Sequence, residues 1–181
     1  MSATTTTEPM VWIGSLAAYN AGHLIGAWYP ATEAADVTIA DLHRGTGVPY
    51  TDDDELWVMD LEHMPVTREM DPLEAQRWGD LYEEVGPEQW PALCAWVRSG
   101  SYTAEGDSDY PVVSDFEEQF CGTWASFQEY ADELAADTGL LRDVPEDLQS
   151  YIDLGRWARD IESDYSTEDA PGGGVYVFRN S

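Results

Sequence analysis

Carboxylates are the residues with the most potential for chemistry in this sequence, because 36 of its 181 residues are Asp or Glu. A pair of carboxylates can act as general acid and base, or can bind a metal ion. With so many of them, some pair always has a suitable spacing, so this signal alone predicts no site. His23, His43 and His63 lie twenty residues apart, which is too far for a local metal motif. The sequence also contains no HExxH, GxSxG, P-loop or GxGxxG pattern.

The segment that begins with Asp107 and Asp109 is similar to the start of a calcium-binding loop. Pro111 occupies the position of the third ligand, and Val112 replaces the glycine that such a loop needs. We therefore predict no catalytic residue, no metal site and no cofactor, and we do not expect an enzyme. A carboxylate-based metal enzyme stays an alternative that a calorimetric metal titration would detect.

The acidic residues are most concentrated between Asp107 and Asp169, where eighteen carboxylates accompany three arginines. Apolar residues recur there at helical spacing, which a disordered acidic tail lacks. A helix over 126–138 is predicted to have an apolar face formed by Phe127, Tyr130, Ala131, Leu134 and Thr138. Its opposite face is acidic and consists of Glu129, Asp132, Glu133 and Asp137. Like charges so placed destabilise a helix by roughly 0.2–0.5 kcal/mol per pair. The stability of the fold therefore does not explain this acidic face, which suggests a function for it.

The whole chain has a net charge of −28 and contains no lysine. Such a surface repels nucleic acid and acidic membranes and attracts basic proteins, so we do not expect the chain to bind nucleic acid. Duplex DNA carries one negative charge per roughly 1.7 Å, so the charge equals that of about 48 Å of duplex, or about 14 base pairs. This length matches the footprint of a large DNA-binding groove. A salt-adapted acidic interaction protein with no DNA-groove partner is the alternative, because acidic composition also keeps such proteins soluble.

Cys94 and Cys121 lie far apart and form no CxxC motif. They predict a reduced, cytoplasmic protein with Cys94 buried on an apolar helix, although a single disulfide remains an alternative. The amino-terminal MSATTTTEP lacks the basic region and apolar core of a signal peptide. No apolar run approaches the roughly 20 residues of a membrane span. We therefore expect a soluble protein without a membrane partner.

The pattern of turns and apolar residues predicts an α+β fold, an elongated chain of two to three small α+β or helical units with short antiparallel sheets. Residues 1–9 are expected to form a disordered leader. An amino-terminal α+β unit is predicted over 10–62, a central helical unit over 63–103 and an acidic α+β unit over 104–181.

The elements predicted within these units are short. Strands are expected from Met10 to about Ser15 and over 27–29, 55–61 and 175–178. Helices are expected over 33–44, from Asp71 to Val85, through Trp90–Val97, and over 114–120, 126–138 and 154–165. Asp143 and Glu146 have the spacing of a capping box and are predicted to begin a helix.

Four blocks of the sequence resemble one family. VWIGSLAAYNAGHLIGAWYPA (11–31) is similar to the amino-terminal signature of ArdA-type antirestriction proteins, with its glycine-ended strand, Tyr-Asn pair and GAW segment. DFEEQFCGTWASFQEYADELA (115–135) resembles the acidic central-to-late block of that family. VPEDLQSYIDLGRWARDI (144–161) and the closing GVYVF (174–178) resemble its carboxy-terminal pattern, and the blocks occur in the family's order.

The resemblance implies an elongated, curved homodimer whose surface carboxylates imitate the phosphates of bent B-form DNA. It also implies an antirestriction function, in which the protein occupies the DNA groove of type I restriction–modification enzymes, at their methyltransferase core. Incoming mobile DNA, such as plasmids and transposons, would thereby escape cleavage. The stretch 55–105 and the Gly-rich 171–174 resemble the family least, which leaves the middle unit and the dimer contacts open.

The carboxylates expected to imitate phosphates lie on the acidic faces of 115–137 and 143–169, with two extensions in the first hundred residues. They are Asp52, Asp53, Asp54, Glu55, Glu83, Glu84, Asp115, Glu117, Glu118, Glu129, Asp132, Glu133, Asp137, Glu146, Asp147, Asp153, Asp160, Glu162 and Asp164. We expect binding to be shared among them, with no single carboxylate dominant.

Overall fold

The computed structural model describes residues 7–181 and has the mixed α+β fold that the sequence predicts. Tertiary contacts divide the chain into two compact units that meet between Cys94 and Ala95. Within the described residues, each unit contains one three-stranded antiparallel sheet, as expected. We call residues 7–94 the first unit and residues 95–181 the second unit. The finer division at 62/63 and 103/104 stays a prediction.

The first unit is built around a sheet in which β1 lies between β2 and β3. Its elements are β1 (Met10–Ser15), α1 (Leu16–Asn20), β2 (Gly26–Pro30), the 3-10 helix η1 (Ala31–Asp36), α2 (Ile39–His43), β3 (Leu56–Glu62) and α3 (Pro72–Val85). Helix α4 (Trp90–Ser99) begins in the first unit and ends in the second.

The inner face of this sheet and helix α3 form the core of the first unit. Ile13 of β1, Val58 of β3 and Trp78 of α3 are completely buried. Gly79 allows α3 to approach η1 closely, because a Cβ atom at this position would overlap the backbone of Thr32. The small residue therefore sets the packing distance between these two helices.

The second unit contains a sheet in which β6 lies between β4 and β5. Its elements are α5 (Val113–Gln119), β4 (Phe120–Trp124), α6 (Phe127–Asp137), α7 (Glu146–Gln149), α8 (Leu154–Ile161), the 3-10 helix η2 (Glu162–Asp164), β5 (Tyr165–Asp169) and β6 (Val175–Arg179).

Aromatic rings form the core of the second unit. The ring of Phe116 lies 5.7 Å from that of Trp96 and 5.2 Å from that of Phe120, measured between centroids, and Phe120 lies 5.4 Å from Phe178. Trp96, Phe116 and Phe178 are almost completely buried. Aromatic pairs at such distances contribute about 0.5–1.5 kcal/mol each beyond the area they bury, so this cluster ties α4, α5 and the sheet together.

The amino-terminal residues of the described chain are anchored to the first unit. Thr7 donates a hydrogen bond to the carbonyl of Pro87 (3.1 Å), and the Glu8 carbonyl lies 2.9 Å from Nδ1 of His63. Pro9 is buried. The last three residues of the expected leader 1–9 thus pack on the unit instead, and residues 1–6 lie outside the described part.

The predicted continuous helix over 33–44 is wrong. Val37 and Thr38 have extended backbone between η1 and α2, with ψ angles of 130° and 158°. The Thr38 hydroxyl accepts a hydrogen bond from the backbone N–H of Asp41 (3.2 Å) and begins α2 as a capping residue. The apolar pattern of this segment predicts Ala40 as a core residue, whereas the structure leaves it exposed.

Two further details of the helix predictions are wrong. The sequence pattern predicts an apolar face of α3 with Leu73, Leu81, Tyr82 and Val85. Leu73 is 73% exposed, because the buried face runs through Ala75, Trp78 and Leu81. Asp143 does not cap a helix, since α7 begins at Glu146 and its N-cap residue, Pro145, makes no side-chain hydrogen bond.

The predicted helix over 154–165 ends early. It stops at Ile161, and Tyr165 begins β5, which pairs with β6. Sequence analysis also missed α1 and β4 as elements, whereas the predicted strand over 175–178 is confirmed.

Candidate functional site

The predicted carboxylates lie on the surfaces of both units. Six of the nineteen belong to the first unit and thirteen to the second. Seventeen are exposed, and the two exceptions, Asp54 and Asp115, are half-buried. Among residues 7–181 no Asp or Glu is buried, so the acidic surface carries little desolvation cost within the folded chain.

Helix α6 carries the clearest part of this surface. The hydroxyl of Ser126 accepts a hydrogen bond from the backbone N–H of Glu129 (3.2 Å), and the Glu129 carboxylate accepts one from the N–H of Ala125 (2.7 Å). These bonds satisfy donors at the amino end of the helix. Tyr130 and Ala131 are buried, whereas all four predicted carboxylates of this helix are exposed. The predicted separation of an apolar face from an acidic face is confirmed.

One position of the predicted apolar face of α6 is wrong. Thr138 is exposed, and its hydroxyl donates a hydrogen bond to the Leu134 carbonyl (2.7 Å). Ala135 is buried in its place. Tyr130 holds this face on the sheet, with ring centroids 5.6 Å from Trp124 and 5.2 Å from Tyr165. Burial raises the pKa of the Tyr130 hydroxyl, which also interacts with Tyr165.

The other carboxylates of the second unit occupy short helical segments. Asp115 lies in the first turn of α5, which also carries the exposed Glu117 and Glu118. The segments after α6 carry the remaining exposed members, which are Glu146 and Asp147 on α7, Asp153 at the N-cap of α8, Asp160 on α8, and Glu162 and Asp164 on η2. The backbone of these segments thus fixes the Cα position of each residue, while its carboxyl group is exposed to solvent.

The carboxylates of the first unit form two local groups. Asp52 and Asp53 are exposed in the turn before β3, and Glu55 follows them. Glu83 and Glu84 are exposed in the last turn of α3. Each group is brought together by its own short segment of chain.

Some of these carboxylates also hold the backbone. Asp54 accepts hydrogen bonds from the N–H of Thr51 (3.0 Å) and from its hydroxyl (2.8 Å). These two bonds, the backbone one first, hold the pKa of Asp54 below its ordinary value. Asp153 accepts a hydrogen bond from the N–H of Arg156 (2.9 Å) and caps α8. These positions serve the fold and the charged surface at the same time.

Arginines form ion pairs with carboxylates outside the predicted set. Arg44 lies 2.9 Å from Asp41, and Arg68 lies 3.2 Å from Glu74. All four side chains are at least 38% exposed, so water screens both pairs and they add little to stability. The Thr38 hydroxyl and N–H, rather than Arg44, are the main cause that lowers the pKa of Asp41.

Within residues 7–181, no three side chains of His, Cys, Asp or Glu are grouped so that they could hold a metal ion. His43 is buried, with its Nδ1 3.1 Å from the Val48 carbonyl. Cys94 is buried as predicted, Cys121 is half-buried, and both are thiols.

Among the helices of residues 7–181, none combines the length and the apolar character that a membrane span requires.

Sequence reasoning missed one surface feature of the first unit. A groove lies on the outer face of its sheet, and its lining includes Trp12, Trp28 and Asp60. These residues are far apart in sequence, so only the strand register brings them together. Residues 10–13 of β1 are all apolar, so periodicity indicates neither the outward direction of Trp12 nor its neighbours.

Comparison with known families gives one match. Residues 11–176 match the model of the family described as ArdA, antirestriction protein. The match extends from β1 into β6 and includes both units. No curated protein matches the chain.

Proposed function

The chain belongs to the ArdA antirestriction family, and from this premise we propose that it imitates B-form DNA and competes for the DNA-binding groove of type I restriction–modification enzymes. The partner surface is the methyltransferase core, whose groove normally holds the substrate duplex. Occupation of that groove protects incoming mobile DNA from cleavage. The chain itself does not bind nucleic acid in this proposal, and it acts without a cofactor.

The placement of the carboxylates is the observation that carries the proposal. All but two of the nineteen predicted ones are exposed, and those of α6 lie opposite a face that is buried against aromatic rings. An exposed acidic helix face opposes folding through like-charge repulsion. In a basic groove of a partner protein the same carboxylates would be attracted to cations. Binding to such a partner would therefore explain why the chain keeps an acidic face that opposes its folding.

The physical mechanism is electrostatic complementarity. A groove built for DNA presents cations at the spacing of phosphates, and its affinity for DNA depends steeply on salt. Carboxylates carried by helices need little further ordering of the backbone when they enter such a groove. We therefore expect tight binding that competes with DNA and weakens as salt is added.

We further propose that the chain acts as the homodimer that its family resemblance implies. Two chains carry twice the net charge of −28, which equals the charge of about 95 Å of duplex. Sedimentation of the purified protein at micromolar concentration should give the mass of two chains. A sedimenting species of one chain, still active in DNA competition, would contradict this part of the proposal alone.

The experiment that tests the main proposal is DNA competition. The protein is titrated into a type I methyltransferase bound to labelled DNA, at several salt concentrations. We expect complete release of the DNA at low salt. The affinity of the protein for the DNA-free enzyme, measured in parallel, should fall steeply as salt is added. Failure to release DNA at low salt would overturn the proposal.

The same salt series distinguishes the proposal from the alternative of a salt-adapted acidic protein with no DNA-groove partner. A salt-adapted protein should unfold in dilute buffer through self-repulsion and recover as salt screens its charges. We expect the chain to keep its near-ultraviolet circular dichroism in dilute buffer, where competition is strongest. Loss of that signal below about 50 mM salt, where the Debye length exceeds 10 Å, would favour the alternative.

A further inference from the structure

The outer face of the first sheet carries two tryptophans and an aspartate side by side. Trp12 of β1 is the register partner of Trp28 in β2 and also of Asp60 in β3. Directly opposed residues on antiparallel strands point to the same face, with Cβ atoms about 4.5–5.5 Å apart. The side chains of Trp28 and Trp12 therefore lie side by side. The register between β1 and β3 shifts directly after Trp12, but Asp60 lines the same groove as the two rings, so the three side chains form one row across the strands.

Two glycines allow the ring of Trp12 to rest on the strands. Gly14 and Gly26 are register partners of each other. A Cβ atom at Gly14 would lie 2.6 Å from Cζ3 of Trp12, and one at Gly26 would lie 2.5 Å from Cη2 of the same ring. Both positions must therefore lack a side chain for the indole to lie against the backbone. This contact fixes the indole beside the groove that it lines.

The row forms part of a groove with a volume of about 460 Å³. Its aromatic and aliphatic walls are well exposed, with Tyr19 at 58%, Leu24 at 75% and Trp28 at 41%. Two carboxylates, Asp60 and Glu69, also line it. The Glu69 carboxylate is positioned by a hydrogen bond from Nε1 of Trp57 (3.1 Å).

Aromatic rings together with carboxylates favour a cation with an extended planar face. Tryptophan is the best aromatic partner for a cation, and arginine is the commoner cation in such contacts. A guanidinium group can stack on an indole, is weakly hydrated and forms two parallel hydrogen bonds with a carboxylate, whereas an ammonium group lacks the planar fork. Both the charge and the shape of the groove therefore fit arginine.

We propose that this groove binds an arginine side chain of a partner polypeptide, with the guanidinium stacked on Trp12 and Trp28 and paired with Asp60 and Glu69. The inference rests on the proposed function for the identity of the partner, which is then a DNA-contacting protein. It adds a contact that DNA itself does not offer, because a duplex presents phosphates and no aromatic side-chain platform at its backbone.

A direct test uses the chain alone and a small probe. N-acetyl-arginine amide is titrated into ¹⁵N-labelled protein while the eight tryptophan indole signals are observed, and N-acetyl-citrulline amide serves as the uncharged probe of the same shape. We expect the signals of Trp12 and Trp28 to shift with the arginine probe only. Equal shifts with citrulline, or shifts spread evenly over all eight indoles, would overturn the proposal.

Two substitutions extend the test to inhibition. Trp28→Ala should abolish the arginine-dependent shift of Trp12, and Asp60→Asn should weaken it. In DNA competition Trp28→Ala should raise the midpoint by about 2- to 30-fold, with an unchanged salt slope because no charge is lost. Leu73→Ala, which removes another exposed apolar side chain of the first unit outside the groove, is the matched control and should leave the midpoint unchanged.

The outcomes of the two proposals can be told apart. If the arginine probe shifts Trp12 and Trp28 but the chain never releases DNA, the groove stands and the proposed function fails. If the chain releases DNA and Trp28→Ala does so equally well, the proposed function stands and the arginine groove is refuted as a contact with that partner.

Discussion

Neutralising the acidic face of α6 should move stability and inhibition in opposite directions. The variant combines Asp132→Asn, Glu133→Gln and Asp137→Asn, whose side chains are all exposed. Glu129 stays unchanged, because its carboxylate bonds to the N–H of Ala125 and supports the amino end of the helix.

The gain in stability follows from three like-charge pairs on the helix. Glu129 lies three and four residues before Asp132 and Glu133, and Glu133 lies four residues before Asp137. At roughly 0.2–0.5 kcal/mol per pair, their removal raises the free energy of unfolding by about 0.6–1.5 kcal/mol. Removing Asp137 from the negative carboxyl end of the helix adds about 0.3–1 kcal/mol. Urea unfolding, followed by tryptophan fluorescence, should show a higher midpoint with an unchanged slope.

The loss of inhibition follows from three lost contacts with cations. Exposed ion pairs contribute about 0.2–1 kcal/mol each, so affinity should fall by about 3- to 150-fold. The salt slope of the competition should also decrease, by at most about 0.9 for each lost contact, the value for a B-DNA phosphate. A destabilised variant could lose inhibition because it unfolds. A variant with a higher free energy of unfolding cannot lose inhibition for that reason.

The control neutralises three exposed carboxylates outside the predicted set, through Glu33→Gln, Asp36→Asn and Glu88→Gln. It changes the net charge by the same amount, so it separates position from total charge. If this control weakens inhibition as strongly as the α6 variant, total charge decides and the face has no special role. If the α6 variant inhibits like the unchanged protein, the acidic face of α6 does not contact the partner.

Three smaller changes test the local structure. Ser126→Ala removes the cap of α6 and should lower the free energy of unfolding by about 1 kcal/mol. Its control, Ser114→Ala, lies at an exposed position that caps no helix and should leave the free energy of unfolding nearly unchanged. Equal effects of the two substitutions would contradict the capping role of Ser126. Gly79→Ala should destabilise the first unit by about 1–3 kcal/mol through overlap with η1, and a gain in stability on urea unfolding would refute that close contact. Asp54 has a folded pKa below its ordinary 3.8, so its contribution to stability is complete above that value and is lost as pH falls through the lower folded pKa. Thr51→Val removes the hydroxyl bond and keeps the backbone one, so it should reduce part of the fall in stability on acidification; an unchanged pH profile of unfolding would exclude the hydroxyl bond as a cause.

Sequence patterns predicted the parts of the fold that depend on local periodicity. The helices α3, α4 and α6 were expected close to their observed bounds, since their apolar residues recur with the helical period. The strand at Met10–Ser15 was expected from a short apolar run that Gly14 and Ser15 end. The prediction over 33–44 failed because Thr38 can cap a new helix from within a helical pattern. A hydroxyl that bonds to the backbone three residues later overrides periodicity.

The strands of the second unit show why other parts could not be predicted. β4 and β5 are short and follow directly on helical segments, so neither has room for a recognisable alternation. They form because β6 pairs with both of them. This pairing joins segments that are distant in sequence, so local sequence patterns do not indicate it. The acidic face of α6 could be located from spacing alone, whereas the row of Trp12, Trp28 and Asp60 needed the register of three strands.

The hydrogen bonds of some surface carboxylates have a consequence for how this chain can change over evolutionary time. Asp153, Asp54 and Glu129 each bond to a backbone N–H, so the length and position of these side chains matter to the fold. Asp137 and Asp160 lie exposed on their helices, and an acid there could exchange with its longer homologue, or move by one turn, at little cost. Selection for total charge would therefore let most of the surface drift in sequence while a few bonded acids stay in place. Two such proteins could then share a charged surface, and the same target, with few identical residues on it.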